Sequence, residues 1–208
     1  MSQFIESIKI EDQEVFLLEL HQKRVNATFA HFGMENSINL AKIIKDLKID
    51  EDGFFKLRIV YDLNRNYKTQ LIPYAVAEID SFQLVENNTY DYAFKFEDRK
   101  EFERMKTKAK TEEIIIVKNN CITDTSYTNL LFLKDEKWYT PSTYLLNGVM
   151  RQHLLATSKI KETEITLQNI KEFTHFQLIN SMNDFDDMFI YPIERIVNLP
   201  ESREYLGI

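Results

Sequence analysis

The chain has 208 residues, 44% of them hydrophobic and 28% charged, and its formal net charge is −7. This is the composition of a globular protein with one large domain or two modest ones, and the negative charge argues against a general nucleic-acid binder. No hydrophobic run approaches the roughly 18–20 residues of a membrane span, and no signal-peptide pattern is visible. The single cysteine, Cys121, excludes an intramolecular disulfide framework, so we expect a protein of the reducing cytoplasm.

The first block of the chain, to about residue 80, is predicted to be a small α+β unit. Its strands are indicated by alternation of apolar and polar residues, and its helices by apolar residues at helical spacing. The predicted elements are a hairpin over residues 4–18, helices at 20–32 and 37–47, and strands at 54–61 and 68–78.

The second block begins after a predicted crossover over residues 80–86. Its predicted elements are a charged helix at 99–108, strands at 113–117 and 127–133, a helix at 148–156, strands at 162–166 and 173–179, and an apolar segment at 188–193. Because strands and helices interleave in both blocks, we predict an α+β fold with two subdomains. The predicted division is a small N-terminal subdomain over 1–82 and a larger C-terminal one over 83–208.

Two side chains in the second block are candidates for chemistry. Asn119-Asn120 is a turn signal after the strand at 113–117, so Asp124 is predicted on a polar loop between two strands. A carboxylate in such a place often only caps its own loop. Lys95 lies between two phenylalanines, a pattern that also fits an exposed lysine on an edge strand. Metal-ligand spacing, a nucleophile elbow and a phosphate-binding glycine loop are all missing from the sequence.

The order of motifs along the chain resembles the class IV aminotransferases, which are the fold-type IV pyridoxal-phosphate enzymes. Asp124 begins an Asp-Thr-Ser-x-x-Asn-Leu-x-Phe pattern that is followed by Tyr-Thr-Pro and then by Gly-x-x-Arg, as in that family. The resembling segments are Leu20–Arg24, Tyr92–Arg99, Ile122–Phe132, Trp138–Pro141, Leu146–Arg151 and Ile179–Asp184. Matching segments run in the family's order from about residue 4 to residue 193, which is nearly the whole chain.

The resemblance implies pyridoxal 5′-phosphate as the cofactor and a role for each motif. Lys95 would hold the cofactor and act as general acid and base, and Asp124 would keep its ring nitrogen protonated. Arg24 would bind its phosphate, together with backbone amides at the helix start. The residues implied at that helix start are Gly148, Val149 and Met150, and those in a late turn over the phosphate and the substrate are Ser181 and Met182.

Within the family the chain is most similar to aminodeoxychorismate lyase, which implies release of pyruvate and 4-aminobenzoate from 4-amino-4-deoxychorismate for folate synthesis. Asp124 stands where the family more often has Glu, Met150 stands where Thr is usual, and the chain is shorter than most members. A small aminotransferase that acts on branched-chain or D-amino acids and a degenerate, non-catalytic relative therefore remain alternatives. The resemblance also implies a homodimer acting on a small molecule, with no nucleic acid or membrane as partner.

Overall fold

The structure is a computed structural model, and it describes residues 2–50, 52–183, 185 and 189–201. Those residues form three β-sheets and four α-helices, which confirms the predicted α+β class. None of the helices in these ranges is long and apolar enough to cross a membrane.

The first sheet is antiparallel and has the strand order β2-β1-β3-β4. One face of it packs against two helices, and the core between them includes Phe4, Ile8, Val25, Phe29 and Leu57. The elements of this part are β1 (Phe4–Glu11), β2 (Glu14–Val15), α1 (Leu18–His31), α2 (Leu40–Leu47), β3 (Phe54–Tyr61) and β4 (Tyr67–Pro73).

The remaining two sheets have the orders β5-β6-β7 and β10-β9-β8-β11-β12. Phe82, Ile115, Phe132 and Phe176 belong to the apolar core that these sheets share. The strands are β5 (Phe82–Glu86), β6 (Glu113–Lys118), β7 (Cys121–Thr125), β8 (Asn129–Lys134), β9 (Lys137–Pro141), β10 (Lys161–Thr163), β11 (His175–Ile179) and β12 (Ile190–Pro192). The helices are α3 (Lys100–Lys108) and α4 (Val149–Ala156).

The division of the chain at residue 82 stays a prediction. The first sheet is built from residues 4–73 and the other two begin at Phe82. The two parts are nevertheless hydrogen bonded to each other, since the backbone of β1 contacts the segment that carries Lys95.

Two segments were wrongly predicted from the sequence. The predicted crossover at 80–86 contains strand β5, which pairs in parallel with β6 from Phe82 opposite Glu113. The predicted polar loop around Asp124 is strand β7, which pairs with β6. Both strands are stabilised by pairing with β6, and a short local pattern does not show that pairing.

Several predicted boundaries also shift. The helix predicted to start at Ser37 begins at Leu40, because the side chain of Asn39 caps it by accepting the N–H of Lys42 at 2.8 Å. The strand predicted over 68–78 ends at Pro73. Asp184 and Met188, which belong to predicted segments, lie outside the described residues.

Candidate active site

A cavity lies where the first sheet and α1 meet the C-terminal elements. It is lined by residues from five separate parts of the chain, and these include six of the eight site residues predicted from the sequence. The predicted residues that line it are Arg24, Lys95, Asp124, Gly148, Val149 and Ser181. Met150 and Met182 are buried beside it but are not among the lining residues.

Lys95 lies in a loop that is held against the start of β1. The N–H of Ile5 donates to the carbonyl of Lys95 at 2.9 Å, and the N–H of Glu97 donates to the carbonyl of Gln3 at 2.8 Å. The loop therefore follows β1 as a short extra strand would, and the position of Lys95 along the cavity is set by β1.

The environment of Lys95 makes its amine reactive. Burial, assisted by the positive charge of Arg24, lowers the pKa of Lys95 from 10.5 to about 7, although the negative charge of Glu6 opposes this. Burial lowers the pKa because the charged ammonium form loses its hydration. A large share of Lys95 side chains is then neutral near pH 7, as an amine must be to attack a carbonyl group.

Asp124 is a fixed carboxylate on strand β7, with 5% of its surface exposed. One oxygen, Oδ1, accepts a hydrogen bond from Asn129 at 2.8 Å, and Oδ2 accepts the N–H groups of Leu145 at 3.0 Å and Leu146 at 2.9 Å. Burial raises the pKa of Asp124 to about 7 even though these hydrogen bonds lower it. The site therefore favours a cationic N–H group as a further partner, because it would offset the cost of burying the carboxylate.

Arg24 extends from α1 to the cavity, and its guanidinium is hydrogen bonded to the buried carboxylate of Glu6. Its Nε donates to Glu6 Oε1 at 2.9 Å and its Nη2 to Glu6 Oε2 at 2.5 Å. Burial alone would raise the pKa of Glu6, but the charge of Arg24 and hydrogen bonds from His21 and Arg24 lower it to about 2. Arg24 and Glu6 are therefore a charged pair, and Arg24 also lines the cavity.

Helix α4 begins at the cavity wall with Gly148 as its N-cap residue. The first N–H groups of a helix have no partner within it and carry a partial positive charge, so this end of α4 suits an anion. The side chain of Met150 packs with Leu131 and Leu154 instead of facing the cavity. Only the backbone of Met150 is therefore available to a ligand.

The late turn contributes less side-chain chemistry than the resemblance implied. Ser181 lines the cavity, but its Oγ donates to the carbonyl of Ser7 at 2.6 Å. The N–H of Met182 donates to Asn180 Oδ1 at 2.8 Å. These contacts close the turn onto β1 and onto itself.

Arg99 is a cation of the cavity that the sequence did not single out. It donates to the carbonyl of Ser126 and, at 3.5 Å, to the hydroxyl of Tyr92, and its guanidinium lies 4.7 Å from the ring centre of Phe102. No carboxylate among the described residues forms an ion pair with it. The only signal in the sequence was its place at the end of the segment that resembles the cofactor-lysine motif, four residues after Lys95.

The chemistry of these groups fits pyridoxal 5′-phosphate. Lys95 supplies an amine that is partly neutral at pH 7, and Asp124 supplies a buried carboxylate suited to a protonated ring nitrogen. Arg24 and the start of α4 supply donors for a phosphate group. All of these groups are on the wall of one cavity.

Comparison with known proteins also indicates a pyridoxal-phosphate enzyme. The sequence model of the family described as "Amino-transferase class IV" matches residues 3–196. An uncharacterized protein of Haemophilus influenzae is 28% identical over 187 residues, which are 88% of this chain and 99% of that protein.

Solved structures are similar over most of the chain. One is a putative 4-amino-4-deoxychorismate lyase of Haemophilus somnus 129PT, with a TM-score of 0.81, 31% identity, and coverage of 89% of this chain and 98% of that one. Another is the pyridoxal-phosphate-bound form of a hypothetical aminotransferase of Mycobacterium tuberculosis, which is 12% identical and shares the fold. Its TM-score is 0.73, with coverage of 97% of this chain and 84% of that one. The predicted fold-type IV architecture is confirmed, and the chain belongs to the class IV aminotransferase family, as an enzyme dependent on pyridoxal phosphate.

Proposed function

We propose that the protein is a lyase that releases pyruvate and 4-aminobenzoate from 4-amino-4-deoxychorismate, a step of folate synthesis. The proposal is carried by the 31% identity with the Haemophilus somnus protein over 98% of that chain, together with the cavity that joins Lys95, Asp124 and Arg24. The two products contain all the atoms of the substrate, so the reaction needs no second substrate.

Five of the eight predicted site residues are proposed to have a direct role in this reaction. Arg24 and the backbone N–H groups of Val149 and Met150 bind the phosphate of the cofactor, and Asp124 holds the proton of its ring nitrogen. When bound, pyridoxal phosphate supplies an electron sink for the substrate carbon that loses a proton. Lys95 would hold the cofactor, and its Nζ would act as the base that takes the proton from the ring carbon carrying the substrate amine and as the acid that gives a proton to the departing pyruvate group.

Arg99 is proposed to bind a carboxylate of the substrate. Its guanidinium is fixed by stacking on Phe102 and by the carbonyl of Ser126, and it forms no ion pair with a carboxylate of the described residues. A planar guanidinium with free N–H groups matches a carboxylate in bidentate geometry. The substrate of the lyase carries two carboxylates and an amino acid carries at least one, so this role suits either reaction.

The test is product analysis with purified protein, pyridoxal phosphate and 4-amino-4-deoxychorismate. The lyase forms pyruvate and 4-aminobenzoate in equal amounts without an added 2-oxo acid, and Lys95→Ala abolishes both. If pyruvate is absent but an amino group moves to an added 2-oxo acid, the protein is a small class IV aminotransferase. If the protein retains no cofactor absorption after free pyridoxal phosphate has been removed, the dependence on pyridoxal phosphate is refuted and the protein is a non-catalytic relative.

Two further properties are proposed on the resemblance to the family alone. We infer a homodimer, which sedimentation at micromolar concentration tests, because a monomer there would contradict it. We also infer a cytoplasmic location, which the partition of the protein between cell fractions tests.

A further inference from the structure

Glu6 is a charged residue on the inner face of the first sheet. Alternate residues of a strand share a face, and Phe4, Glu6, Ile8 and Ile10 of β1 are all 0% exposed. The other three belong to the apolar core under α1. An ionised carboxylate in that position is costly unless several groups offset the loss of water.

Two residues of α1 supply those groups. Arg24 donates two N–H groups to the carboxylate of Glu6. Nδ1 of His21 lies 2.5 Å from Oε2 of the same carboxylate. His21 and Arg24 are three residues apart in α1 and therefore lie on the same face of the helix. Nε2 of His21 is buried and has no hydrogen-bond partner. Burial lowers the pKa of His21, so it contacts Glu6 as a neutral donor.

The contact with Glu6 uses one edge of the Arg24 guanidinium and leaves the rest available. A guanidinium has five N–H donors, and the two that face Glu6 are on Nε and Nη2. The remaining donors, on Nη1 and the far side of Nη2, point away from Glu6. Because Arg24 lines the cavity, these donors are the ones available to an anion there.

Strand β1 also links this arginine to the lysine of the site. Ile5, the neighbour of Glu6, donates its N–H to the carbonyl of Lys95 at 2.9 Å. The pair of Glu6 with Arg24 and the backbone contact of Lys95 therefore originate from adjacent residues of one strand. Strand β1 thus sets the distance between the N–H donors of Arg24, which would bind a phosphate, and the amine of Lys95, which would attack a carbonyl group.

We propose that Glu6 is a positioning residue, which fixes the guanidinium of Arg24 so that its free edge meets the phosphate of the cofactor. The proposal rests on the proposed role of Arg24 in phosphate binding. Without Glu6 the arginine side chain regains rotational freedom, and it then has to be ordered again when the phosphate binds.

The experiment compares two ligands, pyridoxal 5′-phosphate and pyridoxal, on the full-length protein and its Glu6→Gln variant. Dissociation constants are measured by absorption at pH 7. We expect Glu6→Gln to weaken binding of pyridoxal phosphate about 10- to 100-fold, by analogy with the loss of metal affinity when a residue that orients a metal ligand is removed. Binding of pyridoxal, which has no phosphate, should change less than twofold. Equal losses for both ligands would show that Glu6 only supports the fold.

Glu97→Gln is the matched control. Glu97 also forms an ion pair with an arginine of the first sheet, at 2.7 Å from Arg58 on β3, but neither residue lines the cavity. This variant should keep the wild-type ratio of the two dissociation constants. A change of that ratio as large as in Glu6→Gln would overturn the assignment.

If Glu6→Gln folds poorly, a double variant tests whether Glu6 acts through Arg24. Glu6→Gln combined with Arg24→Gln removes both charges, so neither is left buried without its partner. If Glu6 acts through Arg24, the double variant binds pyridoxal phosphate as weakly as Arg24→Gln alone, whereas additive losses contradict the proposal. If pyridoxal phosphate binds Lys95 but Arg24→Gln has no effect on affinity, the proposed phosphate role of Arg24 is wrong, and this failure is distinguishable from that of Glu6.

Discussion

Lys95 should react with an aldehyde far faster than an ordinary lysine. Burial lowers its pKa from 10.5 to about 7. About half of the Lys95 side chains are then neutral at pH 7, against roughly one in 3,000 for a lysine with the usual pKa. Lys100, whose side chain is 88% exposed, is five residues further along the chain and is the matched control.

The assay is reduction with borohydride after incubation with one equivalent of pyridoxal phosphate at pH 7, followed by peptide mapping. The label should appear on the peptide that contains Lys95, disappear in Lys95→Ala and persist in Lys100→Ala. Because only the neutral amine attacks the aldehyde, the initial rate of attachment should rise with pH through a midpoint near 7. A midpoint near 10, or a label on another lysine, would refute the reasoning from burial.

Three further variants test other walls of the cavity. Asp124→Ala leaves two backbone N–H groups and one N–H of the Asn129 amide without their acceptor, while the amide keeps its bond to the carbonyl of Leu146. We expect the variant to lower the free energy of unfolding by about 2 kcal/mol or more in urea. Unchanged stability would mean that these donors find other partners. In Gly148→Ala the new Cβ would lie 2.1 Å from Oδ1 of Asn129. Displacement of that amide should weaken cofactor binding and lower the free energy of unfolding by about 1–3 kcal/mol. Cofactor affinity equal to that of the wild type would show that the amide is not displaced. With Arg99→Gln, the affinity of the loaded enzyme for 4-aminobenzoate relative to aniline should fall about 10- to 100-fold, as for a lost charged hydrogen bond. An unchanged ratio would exclude Arg99 as the site of the ring carboxylate.

Much of the site was readable from the sequence, because its residues belong to short motifs whose chemistry is local. His21 and Arg24 are on one face of a helix in any fold that keeps the helix, and the Gly148 segment starts a helix wherever it lies. The resemblance then identified Lys95 and Asp124 by order along the chain. The structure brings these segments to one cavity, although their individual roles stay predictions.

Other features depend on residues far apart in the sequence, and these only the tertiary structure decided. Strand β5 was missed because it is held by the pairing of Phe82 with Glu113, and Arg99 was missed because its neighbour Ser126 is 27 residues away. The sequence likewise shows a glutamate at position 6, but its contact with Arg24 spans 18 residues. Residue type and local spacing determine which groups are present, whereas packing of distant strands and helices determines their partners, burial and pKa values.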